Sequence, residues 1–288
     1  MAISTKATLA PLANRAPQGE SSGRNGGHPQ TGALIINADD WGFDRETTDR
    51  ILECAMRRAV SSASGMVFMG DSERSAALAL ERGIDIGLHL NLTEAFSRQS
   101  LPSQLHDHHG RVARFLLRHR FSQIVYHPGL AASFEYVTKA QLEEFHRIYG
   151  AAPGRIDGHH HMHLSENVLS GKLLPAGTLV RRNSSFVTGE KSWANRRYRR
   201  FVDGRLQRRH QLVDFLFSLT PIQTERLERI FSYAQRASVE LETHPVNADE
   251  FALLTSPEIA RLLRGIEIAP NFTVAVCGES VSARSLML

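Results

Sequence analysis

The chain has 288 residues, 42% hydrophobic and 22% charged, with a formal charge of +4 and a pI near 9.3. That length and balance fit a single globular domain with a large core. Cys54 and Cys277, far apart, exclude a disulfide framework and a CxxC metal or redox motif. No apolar stretch approaches the ~20 residues of a membrane span or the continuous apolar core of a secretory signal, so a soluble, cytoplasmic protein is expected.

In chain order, residues 1–30 are rich in Ser, Gly, Pro and Asn and read as a disordered tail, with a targeting segment as the alternative because Arg15 and Arg24 meet few acids. From residue 31 onward, short apolar runs alternate with helical periodicity. The run Ala33-Leu34-Ile35-Ile36 is a buried strand; Asp44 then caps a helix whose Ile51, Leu52, Ala55, Met56 and Ala59 recur at three-to-four spacing. SGMVFM follows as a second strand, Ser72 to Arg82 as a helix stopped by Gly83, and IDIGLHLNL as a third strand. Thr138 and Gln141 form a capping-box pattern ahead of a helix that Gly150 ends. RIDGHHHMHL, GTLVRR, QLVDFLFSL, SVELETH and NFTVAV continue the strands, with TPIQTERLERIFSYAQRA and SPEIARLLRG as helices. About eight strands alternating with helices predict a closed or nearly closed α/β barrel in one domain over 31–288. Residues 183–210 look irregular and read as an insertion over one face.

In such barrels chemistry gathers where strands end. Asp39 and Asp40 close the first strand, His89 and Asn91 the third, Asp157 and His159 a central one and His244 a late one. Two adjacent aspartates resist joint ionisation unless a cation stabilises them. One or two carboxylates with two histidines suit a divalent metal with an open coordination position, one aspartate ligating while the other takes a proton from water. Period-two alternation points His159, His161 and His163 to one side of their strand and His160 to the other, so one or two of them can be ligands. Taken singly, an Asp pair after a strand is better explained by helix capping or loop hydrogen bonding, and His89 by a hydrogen-bonded core position.

The pieces LIINADDWG, AVSSASGMV, IGLHLNLTE, LPSQLHDHHGRV, RIDGHHHMHL and VELETHPVNADE, in this order from Ala33 to Glu250, resemble the YdjC-like carbohydrate deacetylases, which include diacetylchitooligosaccharide deacetylases and a hopanoid-biosynthesis branch. The resemblance implies a deformed TIM-like (β/α) barrel that removes N-acetyl groups from amino sugars with one divalent metal ion, Mg2+ or Zn2+. It implies Asp40, His89 and His159 as metal ligands, Asp39 as general base, His244 as general acid and Asp157 as the group orienting an imidazole. Asn91, His161, His163, Trp41, Trp193 and Arg196 are the substrate-facing or supporting candidates. Trp41, Thr243 and Val246 stand where the family commonly has Phe, Cys and Gly, and the proline expected after HHHMH is missing; these departures are expected around the pocket mouth, where they bear on substrate identity.

Residues 181–209 hold ten Lys or Arg against Glu190 and Asp203, a local excess of +8, with Trp193 and Tyr198 among them. That suits stacking on sugar rings beside an anionic group, as in an acidic glycan, a glycolipid headgroup or a carrier-linked sugar. A solvated loop is the plain alternative. No nucleic-acid-binding module surrounds the segment, and a homodimer is compatible with the fold class. A phosphoesterase with a similar metal site, or a non-catalytic carbohydrate-binding protein on the same scaffold, are the other function classes.

Overall fold

A computed structural model describes residues 32–186, 192–263 and 265–272. The expected tail and all but the first two residues of NFTVAV lie outside them. Seven strands form one parallel sheet: β1 (Ala33–Trp41), β2 (Ser62–Gly65), β3 (Asp85–Leu90), β4 (Arg155–Gly158), β5 (Leu179–Val180), β6 (Phe215–Ser218) and β7 (Ser238–Thr243), in the order β5-β4-β3-β2-β1-β7-β6. The sheet curls into a deformed α/β barrel. Its edges meet through the chain after β5: Val180 N–H donates to Gln211 O, Ser185 N–H to Leu216 O at 2.6 Å, and Leu179 forms an isolated bridge with Gln211.

Helices α1 (Arg45–Met56), α2 (Ser72–Arg82), α3 (Ser103–Arg118), α4 (Ala131–Tyr149), α5 (Glu166–Gly171), α6 (Trp193–Leu206), α7 (Thr224–Tyr233), α8 (Ala248–Thr255) and α9 (Glu258–Leu263) cover the outside. Asp44 caps α1 by accepting from Thr47 N–H at 2.8 Å, and Gly83 ends α2 in the left-handed conformation, both as expected. Outward side chains of the strands, such as Leu34, Ile36, Ala63 and Leu241, pack on α1 and α7, while Leu88, Leu90 and Ile156 pack on α3, α4 and α6.

Several expectations are corrected. Where it is described, the stretch 183–210 is not irregular: it contains α6, between β5 and β6, whose Val202 and Leu206 are buried. The second strand ends at Gly65 rather than Met69, because Phe68 takes a positive φ of 64° that strand pairing cannot hold. Thr138 caps nothing. It lies inside α4, and Gln141 instead serves β3, accepting from Asn91 N–H at 2.8 Å and donating to Asn91 O at 2.7 Å.

The barrel interior is polar. Asn37 and Asp39 of β1 alternate inward with Leu34, Ile36 and Ala38 facing out, and Ser64, His89, Asp157 and Glu240 join them inside, all buried. Arg155 fills the space beside β3, its guanidinium donating to Ser64, Asp157 and the Ala63 carbonyl and stacking 4.2 Å over Phe272. Gly87 makes this possible, since a Cβ there would sit 2.6 Å from the Arg155 Cζ.

Candidate active site

Strand alternation explains Asp39 but not Asp40. Asp39 points into the barrel, so its neighbour should point out. Instead Asp40 takes φ of 71°, at a register shift between β1 and β2, and swings its carboxylate onto the rim. A non-glycine residue rarely adopts this conformation, and where one does, the surroundings hold it for use. Asp40 Oδ1 there lies 3.3 Å from His89 Nε2 and 3.0 Å from His159 Nδ1.

The histidine run does not continue β4 as a strand. After Gly158 it forms a 3-10 turn with left-handed His160 and His161, so the alternation expected for these residues fails. His159 reaches the rim, and His160 packs against its ring at a tilt while bonding Thr93. His163 is buried and its Nε2 bonds the Arg181 carbonyl at 2.9 Å, a structural position. His161 lies 3.6 Å from Glu242. Burial, with Arg181 and His163 nearby, pushes its imidazole down to about 3.

Beneath the rim, Arg181 organises the carboxylates. Its guanidinium donates to both oxygens of Asp39 at 2.6 and 2.7 Å and to Glu240 at 2.7 Å, and lies 3.1 Å from Asp157. Burial alone would raise the Asp39 carboxyl, but Arg181, with His89 and His244, holds it well below the usual carboxylate range. Asp157 is likewise held at about 2, against burial, by Arg181 and His89. Its Oδ1 sits 2.7 Å from His89 Nδ1, which leaves Nε2 turned to Asp40. Burial would lower the His89 imidazole, yet Asp39, Asp157 and Asp40 outweigh it and push it up to about 10. Hydrogen bonds from His159 and His89 overcome burial and keep Asp40 strongly acidic.

His244 follows β7, with Nε2 3.9 Å from Asp39 and 4.0 Å from Glu242. Glu250 fixes this turn by accepting from His244 N–H and the Thr243 hydroxyl. Glu242 carries the opposite perturbation to Asp39: burial and the neighbouring carboxylates Asp39 and Glu240 outweigh Arg181 and push it up to about 8. Arg181, Glu240 and Glu242 escaped the sequence reading, although their signal is there. Glu240 and Glu242 alternate at period two inside the apolar strand VELET and so face the barrel interior, while Arg181 directly follows the short apolar run Leu179-Val180 in GTLVRR.

The remaining candidates lie elsewhere. Trp41 is fully buried in the outer core and Thr243 is buried on Glu250, whereas Val246 is exposed. Asn91 turns its side chain into its own loop, accepting from Thr93 and Glu94 N–H and donating to the Glu94 carbonyl. Trp193 and Arg196 are on the exposed side of α6. Arg181 and Arg182 are no part of a solvated basic face either, since Arg181 is buried and Arg182 pairs with Asp203 at 2.7 Å.

Among the described residues, three groups could hold a cation: Asp40, His89 and His159; Asp39, Glu242 and His244; and Asp39, His89 and Asp157. The first fits best. It offers one carboxylate oxygen and two imidazole nitrogens within 4.8 Å at the rim, where two nitrogens converge on one oxygen.

The model of the family described as YdjC-like protein matches residues 33–265. The chain belongs to the YdjC-like family. Relatives of this YdjC-like chain include the chitooligosaccharide deacetylase of Serratia marcescens, 31% identical over 136 residues, 47% of this chain and 52% of that protein. Another is the chitooligosaccharide deacetylase of Yersinia pestis (strain Pestoides F), 29% identical over 132 residues, 46% of this chain and 50% of that protein. The chain thus spans about half the length of the curated relatives it matches. A crystal structure from Enterococcus faecalis V583, of a candidate cellobiose-phosphate cleavage protein, superposes with a TM-score of 0.61 at 21% identity, covering 85% of this chain and 99% of that one. It shares the fold.

Proposed function

We propose that the protein is a metal-dependent carbohydrate N-deacetylase, which hydrolyses the acetamide of an amino sugar to release acetate. The convergence of Asp40, His89 and His159 beside Asp39 and His244 carries this reading. The names of the two relatives support the substrate class. Asp40, His89 and His159 would hold one divalent cation, zinc or magnesium, their oxygen and nitrogen donors suiting zinc and the carboxylate also tolerating magnesium. When bound, the cation polarises the amide carbonyl and lowers the pKa of the attacking water into a range where a carboxylate as weak as Asp39 can take the proton.

The chain's own groups do the rest. Arg181 fixes both Asp39 oxygens, so the base is ionised and aimed at any working pH. Asp157 fixes the His89 tautomer by accepting from Nδ1–H. His244, on the other side of Asp39 and partly exposed, gives a proton to the departing amine. Acetate release from N-acetylated chitooligosaccharides, with chelator-stripped protein reloaded with zinc or magnesium, tests the reading. Metal-restored release is expected. Hydrolysis of a generic phosphate ester with no acetate from any N-acetyl sugar would reassign the site to phosphoester chemistry.

A further inference from the structure

The helix α6 between β5 and β6 has one buried face and one that the described residues leave exposed. Val202, Asp203 and Leu206 are buried. The other side exposes Trp193 and Phe201, each at 63%, among the exposed Arg196, Arg197 and Arg200, with Arg197 lying 5.1 Å over the Trp193 ring. A second exposed apolar group lies between α3 and α4, where Leu117, Phe121, Val125 and Tyr126 stand beside exposed Arg118 and Arg120.

Both groups brace against α5. Asn167 accepts from His127 N–H at 2.9 Å and donates to the His127 carbonyl at 3.0 Å, while Glu166 receives Arg205 of α6 at 2.7 Å. α5 directly follows the histidine turn that supplies His159. The surface therefore adjoins the C-terminal edge of the sheet on which the candidate site opens. α4 also runs ten residues, about 15 Å, from its start before Gln141 meets that edge at Asn91, which carries the α3–α4 turn beyond the rim.

We propose that this surface docks the protein on an anionic lipid bilayer. Trp193, Phe201, Phe121 and Val125 enter the headgroup layer, and the arginines meet lipid phosphates. Aromatic rings gain at the interface by burying an apolar body there, and guanidinium forks match phosphate oxygens. Charge decides between occupants. A second copy seated symmetrically would set Arg196, Arg197 and Arg200 against their own counterparts, which is repulsive. A nucleic acid would leave the aliphatic Leu117 and Val125 with nothing to cover them, because it binds such surfaces through phosphates and base stacking.

Vesicle binding by the full chain tests this, independently of any reaction. The probes are vesicles of phosphatidylglycerol and phosphatidylcholine in equal parts, and vesicles of phosphatidylcholine alone. The chain has two tryptophans, and Trp41 is fully buried, so a change in emission on binding reports Trp193. Expected are co-sedimentation with the anionic vesicles only, a blue shift of emission, and weakening by salt. R196E/R197E/R200E should weaken partitioning by roughly a hundredfold or more. W193A/F201A should weaken it with the charge unchanged and remove the blue shift. Both variants alter exposed side chains, and an unchanged thermal midpoint verifies their folding. Equal binding to both vesicle types, binding to neither, or binding with unmoved emission would overturn the proposal. So would a dimer in solution that W193A/F201A splits.

Discussion

Asp40 and His89 reach each other because a local departure from regular structure meets an imidazole held in one orientation. Asp40 leaves the strand alternation through a left-handed backbone, and His89 is held by Asp157 so that Nε2, not Nδ1, faces the rim. If that orientation matters for cation binding, Asp157→Asn should lower zinc affinity by roughly 10- to 100-fold while the fold persists, as titration calorimetry would read; unchanged affinity would remove Asp157 from the site. Glu242 bears on stability. Its folded value of about 8 lies above the ordinary 4.5, so the native state holds a proton that the unfolded chain releases between these values. The resulting stabilisation is complete below about pH 4.5 and is lost as pH rises through about 8. In chelator-treated protein, Glu242→Gln should therefore flatten the fall in thermal midpoint between about pH 4.5 and pH 8, and parallel curves for the two proteins would contradict the assignment.

At the scale of elements, the barrel interior depends on β2, β3 and β4 leaving room for a guanidinium. Gly87→Ala would press a Cβ onto Arg155, whose guanidinium is held in place by Asp157, Ser64, the Ala63 carbonyl and the Phe272 ring. Destabilisation by about 1–3 kcal/mol, read from chemical denaturation, is the expected cost of such overpacking. The elements that were legible in sequence are those that obey one local rule. α1 has its Asp44 cap and apolar stripe, α2 its Gly83 stop, and β1, β3 and β7 their apolar runs. Elements that owe their form to distant partners were not. α4 starts seven residues before the capping-box pattern, because its Gln141 is occupied by the β3 backbone. The HHHMH turn follows from left-handed His160 and His161, which no periodicity encodes. The Arg-rich segment looked irregular because its charges mask the buried Val202 and Leu206 of α6.

For the whole molecule, the polar residues that the sequence placed at strand ends do assemble on one edge of a curled parallel sheet. Their order in the chain, from β1 to the turn after β7, says nothing of the distances between them; parallel pairing of β1 with β2 and β7, and of β3 with β4, brings them together. The buried network beneath, in which Arg181 and Arg155 face Asp39, Asp157, Glu240 and Glu242, keeps Asp39 and Asp157 ionised directly below the rim on which Asp40, His89 and His159 converge. The most direct test is acetate release from an N-acetylated chitooligosaccharide, titrated with zinc from the metal-stripped state, in wild type and Asp40→Ala. The account predicts activity that saturates at about one equivalent of metal in wild type and is lost in the variant. Full release without metal, or equal release by Asp40→Ala, would contradict it.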